Sequence, residues 1–233
     1  MGSTRLPGKV LTDLGGKTVL ARVVRRLRRA KLIDEIIVAT TDLPTDDPIV
    51  RECNHLDVPY FCGSESDVLD RYYQAAKVFG AEAVVRVTSD CPLIDPQLVD
   101  ETIAAFQADE ADYASNVIPR TYPRGLDTEV FTAAALERAW LEAKEPHQRE
   151  HVTPYFYEHP KLFRMASALA DADYSRYRWT LDTSEDLELI RAIYSRFDNR
   201  DDFSWKEVLA LMEREPDLAD LNSRVVQKAV YAH

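Results

Sequence analysis

The opening stretch Met1-Gly2-Ser3-Thr4-Arg5-Leu6-Pro7-Gly8-Lys9 brings two glycines, an arginine, a proline and a lysine into one short loop. Glycines let a backbone come close to a ligand and turn its N–H groups inward, and such nests bind anions. Arg5 adds a planar fork for phosphate oxygens, Lys9 a compact point charge. A polyphosphate is the natural guest. The pattern G-x-x-x-x-G-K-[ST] is not met: Gly2 and Gly8 stand one residue too far apart, and Val10 occupies the place of the magnesium-binding Ser or Thr. Gly16-Lys17-Thr18 also fails, with Leu11 where the first glycine belongs. From this stretch alone, a surface loop with two scattered cations remains open.

Two aspartates follow short apolar runs: Asp90 after Ala83–Val87, and Asp182 after Arg178–Leu181. In open α/β sheets ligands lie beyond the carboxyl ends of the strands. Two carboxylates from different strands meeting at a phosphate suit Mg²⁺, which takes few protein ligands and keeps several waters. The competing reading is that both are turn or helix-cap residues, most seriously for Asp182, where a helix begins. The chemistry these parts suit is nucleotidyl transfer: a substrate oxygen attacks the α-phosphorus of a nucleoside triphosphate and pyrophosphate leaves. Mg²⁺, Arg5 and Lys9 would stabilise the charge that grows on phosphate, and no covalent nucleophile is needed. Cys91 adjoins Asp90, which would raise its pKa, and it has no basic neighbour in sequence, so a catalytic thiol is not expected.

Alternating strands and helices must position these groups. The pattern predicts a helix over Thr18–Ala30, whose five arginines read as a solvated face. It predicts buried strands at Ile36–Thr40, Val58–Phe61 and Ala83–Val87. A helix capped by Asp47 ends near His55, one capped by Ser66 runs to Phe79, and one starting at Asp95-Pro96 reaches about Ala108. This order implies a parallel sheet with right-handed crossovers. Residues 113–170 read as a cap over the sheet edge, after which Arg178–Leu181 returns as a strand. Thr183 with Asp186, and Ser204 with Glu207, start two more helices. The tail beyond Pro216 reads as late-packing or fraying. The chain opens inside the glycine loop, so the strand that normally precedes such a loop is expected to be missing, leaving a gap in the sheet.

With 233 residues and 45% apolar content, the chain can bury the core of one large α/β domain, taken as residues 1–233 with a helical tail at about 200–233. A net charge of −11 argues against general nucleic-acid binding. No apolar run has the length of a membrane span, and no signal peptide is visible. Three cysteines and no Cys/His zinc spacing point to a reducing cytoplasm. Asp171-Ala172-Asp173 spells the Asp-x-Asp metal motif of a glycosyltransferase but sits in a polar turn.

The stretches Met-Gly-Ser-Thr-Arg-Leu-Pro-Gly-Lys, Ile-Val-Ala-Thr-Thr-Asp, Gly-Ser-Glu-Ser-Asp-Val-Leu-Asp-Arg-Tyr, Asp-Cys-Pro-Leu-Ile-Asp and Arg-Trp-Thr-Leu-Asp-Thr-Ser-Glu-Asp-Leu occur in that order between Gly2 and Tyr194. In this ordered set the chain resembles the cytidylyltransferases, most closely their spore coat polysaccharide branch, with the synthetases of CMP-sialic acid and CMP-Kdo as relatives. The resemblance implies a Rossmann-like nucleotide-diphospho-sugar transferase fold, mostly parallel with a small cap. It also implies a CTP-dependent, Mg²⁺-dependent reaction giving a CMP-sugar for surface polysaccharide. Arg5 and Lys9 carry over as phosphate ligands, with Gly2, Ser3, Gly8 and Ser89 beside the nucleotide; Asp90 and Asp182 carry over as the metal pair. The base would lie near Leu6, Thr41 and Asp42, with Ser64 and Asp67 alongside. An acidic sugar would meet Arg71, Arg124, Asp127, Glu129, Arg149 and His151, where an ordinary ion-pair role stays open for each cap residue and a packing role for Arg71. A homodimer is implied. Ser89 departs from the glycine common at its position, which crowds the phosphate slightly.

Overall fold

A computed structural model describes residues 5–227. Its helices are α1 (Val19–Leu27), α2 (Asp47–His55), α3 (Val68–Val78), α4 (Pro96–Ala108), α5 (Ala133–Glu142), α6 (Pro146–His151), α7 (Pro154–Glu158), α8 (Ser184–Arg196), α9 (Trp205–Arg214) and α10 (Asp217–Asp220). The strands are β1 (Val38–Thr41), β2 (Tyr60–Gly63), β3 (Ala83–Arg86), β4 (Tyr113–Ser115), β5 (Glu129–Thr132) and β6 (Met165–Ser167). Among the described residues the strands form two sheets. One pairs β1 and β2 in parallel, and the other has the order β3-β5-β4-β6.

The parallel prediction therefore holds for β1 and β2, joined through α2, but not for β3, which lies in the other sheet antiparallel to β5; β4 and β6 also pair in parallel. It does not hold for β5, which runs antiparallel to both β3 and β4. The supposed cap carries three short strands beside the helices α5, α6 and α7, and Tyr113, Ala114, Ser115 and Glu129 to Phe131 are buried. The predicted strand Arg178–Leu181 is an extended segment with a single parallel bridge, Arg124 to Arg178. Its backbone bonds go instead to two loops, as shown below.

Helix α1 straddles the two sheets. Val23 and Leu27 pack with Ile94, Val99 and Val130 on one side, Leu20 and Val24 with Ile49 and Cys53 on the other. Only part of the expected solvated arginine face is found: Arg25, Arg28 and Arg29 are exposed, but Arg22 and Arg26 point inward. Arg22 and Arg26 are fully buried. Arg22 donates to the carbonyls of Leu14, Gly15 and Asn199 and to Asp201; Arg26 donates to those of Ile94, Asp201 and Phe203. Each guanidinium also lies 4.4 Å over an aromatic ring, Tyr194 and Phe203 respectively. A guanidinium has enough donors to satisfy several loop carbonyls at once, and that is what makes its burial tolerable.

Several start signals hold. Thr18 caps α1, Asp95 caps α4, and the boxes Thr183/Asp186 and Ser204/Glu207 open α8 and α9. Two shift by one residue. Asp67, not Ser66, caps α3, and Asp46, not Asp47, precedes α2. The tail beyond Pro216 packs as far as Asn222: Leu218 joins the main core around Trp179, Leu181, Ile190 and Ile193, and Asn222 is buried, whereas Val226 is exposed.

Replacing Arg26 by Met strips the buried carbonyls of Ile94 and Phe203 of their partner and should cost about 3 kcal/mol, whereas Arg25→Ala, at an exposed ion pair, should cost less than about 1 kcal/mol. Urea unfolding of the two variants measures the difference, and similar costs would return Arg26 to the surface role.

Candidate active site

The loop after Arg5 is built from short-range bonds. Gly8, at φ 69°, opens a 3₁₀ turn at Lys9–Leu11, a backbone conformation that glycine adopts without strain. Val10 and Leu11 then pack on Leu20, Val24 and Val38, seating the loop at α1 and β1. From this seat Lys9 reaches across the molecule. Its ammonium lies 2.7 Å from Asp90 Oδ2 and 2.7 Å from Asp182 Oδ1. Arg5 Nη2 stands 3.0 Å from Asp182 Oδ2. Four residues from three distant parts of the chain converge on one point.

The backbone explains the convergence. Leu181 N–H donates to the Asp90 carbonyl at 2.8 Å, and the Thr180 hydroxyl donates to the same oxygen at 3.2 Å. Asp90 itself is oriented by the Thr88 hydroxyl, 2.6 Å from Oδ1. Asp182 is held from behind by Asp186, which is fully buried and accepts from the Asp182 and Thr183 N–H groups. Asp186 also pins Arg178, whose Nη2 reaches Asp182 Oδ2 at 2.7 Å. Burial pushes the Asp182 carboxyl up, but Lys9, Arg178 and Arg5 outweigh it and hold the pKa below the usual range. Burial likewise works against the Lys9 charge, yet Asp90 and Asp182 keep its pKa above the ordinary lysine value. At neutral pH Lys9 and Asp182 are both charged.

Cys91 is buried, and burial with the Asp90 charge lifts its thiol well above the ordinary value, in keeping with an inert role. Ser89 is exposed in the turn before Asp90. Gly2 and Ser3 lie outside the described residues. Leu6 packs on the main core.

A second group gathers at the carboxyl ends of β1 and β2, where the parallel register sets Thr41 beside Gly63. Asp46, almost fully buried, accepts from the Thr40 and Thr41 hydroxyls and the Thr41 N–H. Burial pushes its carboxyl up, but these hydrogen bonds help to pull it down to about 2. Asp42 N–H bonds to the Gly63 carbonyl and its side chain faces solvent. Ser64 accepts from Asp67 N–H, and Arg71 donates to the Ser64 carbonyl. Arg71 therefore belongs with Thr41, Asp42 and Ser64 rather than with the cap residues.

The whole chain up to Leu221 matches the family model described as Cytidylyltransferase, residues 1–221. This chain belongs to the cytidylyltransferase family. It is 37% identical over 226 residues to the spore coat polysaccharide biosynthesis protein SpsF of Bacillus subtilis, covering 94% of this chain and 93% of that one. It is 30% identical over 206 residues to a 3-deoxy-manno-octulosonate cytidylyltransferase of Anaeromyxobacter dehalogenans, covering 85% and 84%. A cytidylyltransferase structure from Leptospira borgpetersenii superposes with a TM-score of 0.91 at 32% identity, over 98% of this chain and 95% of the other. The fold is thus the α/β nucleotidyltransferase fold.

On this cytidylyltransferase the residues expected to face a sugar divide. Glu129 takes the ion-pair role left open for it: it is buried in β5, with Oε2 2.5 Å from Arg86 and Oε1 2.7 Å from Tyr113. Arg149 is spent on Asp67, with contacts of 2.5 to 3.1 Å, and on the Trp140 carbonyl. His151 ends α6, half-buried. Asp127 takes a two-pronged bond from Arg120 at 2.6 and 2.7 Å. Arg124 remains next to the acids: its backbone clips to Tyr177 and Trp179, and among the described residues its side chain makes no hydrogen bond or ion pair. The next residue, Gly125 at φ 103°, passes so close that a Cβ would sit 2.5 Å from the Trp179 carbonyl carbon. Arg178, Asp186 and Arg120 escaped the sequence reading as site residues; the Thr183/Asp186 capping box was the one available signal. Asp171 and Asp173 are exposed, and Asp173 is occupied by Ser175 N–H, away from the acid pair.

Asp46→Asn tests the second group. The charged carboxylate contributes stability above its unfolded pKa, and that contribution is lost as pH falls through about 2. The variant should be less stable by about 1–3 kcal/mol at pH 7, with the gap to the parent closing as pH drops from about 4 towards 2. Chemical denaturation across that range measures it; a gap independent of pH would mean that the charge is not what matters.

Proposed function

We propose that this cytidylyltransferase transfers CMP from CTP to a hydroxyl of an acidic sugar, with release of pyrophosphate and with Mg²⁺ bound by Asp90 and Asp182. The observation that carries the reading is the Lys9 ammonium lying 2.7 Å from both acids at the mouth of a glycine loop. Two hard carboxylate oxygens converging on one cation are a donor set that suits Mg²⁺. When bound, the ion would neutralise charge on the triphosphate and activate the α-phosphorus. Arg5 and Lys9 would hold the phosphates, oriented so that the sugar oxygen approaches in line as the bond to pyrophosphate breaks. Thr41, Asp42, Ser64, Asp67 and Arg71 would surround the base.

Arg124 supports the acidic substrate. It is half-buried, and burial with the neighbouring Arg120 charge depresses its pKa, so an incoming carboxylate would relieve an unmatched cation. The relatives' names agree with a 3-deoxy-ulosonic acid or a surface-polysaccharide precursor. A homodimer and a cytoplasmic location belong to the same proposal; no described helix is long and apolar enough to cross a membrane.

Incubated with CTP, Mg²⁺ and a panel of 3-deoxy-ulosonates and nonulosonates, the protein should release pyrophosphate, and ATP, GTP or UTP should not replace CTP. Asp90→Asn and Asp182→Asn should each lower kcat by about 100-fold or more. Arg124→Ala should raise KM for the sugar far more than for CTP. Release from another triphosphate, or none across the panel, would overturn the assignment.

A further inference from the structure

Every carboxylate oxygen of the acid pair is already engaged. Asp90 Oδ1 accepts from Thr88 and Asp90 Oδ2 from Lys9; Asp182 Oδ1 accepts from Lys9 and Asp182 Oδ2 from Arg178 and Arg5. A divalent ion that bridges the acids through the two oxygens Lys9 now touches must come within about 2.1 Å of both. An ammonium and a divalent cation cannot share that volume. Something must leave, and the partners are not equally free to do so. Arg178 is tied to buried Asp186 through two nitrogens and donates to Gln227 with a third. Thr88 is two residues from the acid that it orients. Lys9 alone combines both bridging contacts with a flexible four-carbon stem on a loop.

We infer that Lys9 is the resident counter-ion of the acid pair and that it makes metal binding conditional on the triphosphate. Without nucleotide, a divalent ion would have to expel a bound ammonium into solution with nothing to receive it. With a triphosphate in the loop, the displaced Lys9 finds phosphate oxygens in place of carboxylates, and the exchange no longer strands a charge. Lys9 thus serves two anions in turn and sets the order in which the site fills. This rests on the metal-binding role proposed above for Asp90 and Asp182.

Mn²⁺ titration followed by electron paramagnetic resonance, on the full chain without nucleotide, tests the inference. The parent should bind Mn²⁺ weakly, and Lys9→Met should bind it at least about tenfold more tightly because the competing cation is gone. Adding Asp182→Asn to Lys9→Met should abolish the gain. Removing the ammonium leaves two acids face to face, so Lys9→Gln, which keeps a donor, serves as a second variant. Mn²⁺ should raise its melting temperature and leave that of the parent unchanged. If the parent binds Mn²⁺ alone as tightly as both variants, the inference is overturned. That result, together with pyrophosphate release by the parent, would leave the transferase reading standing. A gain in Mn²⁺ binding by the variants, with no pyrophosphate release by the parent, would sink the transferase reading and keep the counter-ion.

Discussion

Two acids that repel each other have to meet before phosphate chemistry is available, and a main-chain hydrogen bond brings them together. Leu181 N–H to the Asp90 carbonyl, at 2.8 Å, fixes the end of one extended segment against the turn that follows β3. Trp179 and Leu181 are fully buried on either side of Thr180, so the segment cannot slide without exposing them. On its other edge Arg124 N–H donates to the Tyr177 carbonyl and Trp179 N–H donates to the Arg124 carbonyl, at a closeness that only a glycine at position 125 permits. The segment is therefore stitched to the Asp90 turn and to the Arg124 loop at once. Repulsion between the acids is then met by Lys9, Arg5 and Arg178, and the raised Lys9 pKa and lowered Asp182 pKa are the two faces of that balance.

The same solution recurs wherever a loop has to be rigid without regular structure. Arg22 and Arg26 satisfy the carbonyls of loops 13–16, 94 and 199–203; Asp186 satisfies the amides that open α8; Asp46 satisfies the hydroxyls and the amide that end β1. Burying a charge is costly unless its hydrogen-bonding capacity is filled, and each of these groups is filled mainly by backbone or by short side chains. The outcome is a set of loops whose geometry is specified by buried charged hubs rather than by ladders.

What was legible in the sequence follows from locality. The capping boxes of α8 and α9 are written in residues a few positions apart and stand where the pattern puts them, and Asp90 and Asp182 both meet Lys9. The burial of Arg22 and Arg26 is not local. It depends on carbonyls more than 60 residues away for Arg26, so an arginine-rich helix reads as solvated until its partners are known. The antiparallel insertion of β5 was hidden for a similar reason: β4 and β6 have three residues each, too short to show a period, and pairing alone gives them their direction. Glu129 stays open between a sugar contact and an ion pair in the sequence because Arg86 and Tyr113 lie 43 and 16 residues away.

The tail shows how far such non-local links reach. A polar stretch after a proline reads as frayed, since nothing nearby asks for it. Yet Leu218 enters the main core, and Asn222, buried behind it, donates to the Arg178 carbonyl at 2.9 Å and to Asp186 at 2.8 Å. Asp186 in turn holds both Arg178 and the amide of Asp182. The path from Asn222 to the acid that faces Lys9 is therefore two hydrogen bonds long. A carboxylate at a strand end is only as well placed as the groups behind it, and here one of those groups comes from the far end of the described chain.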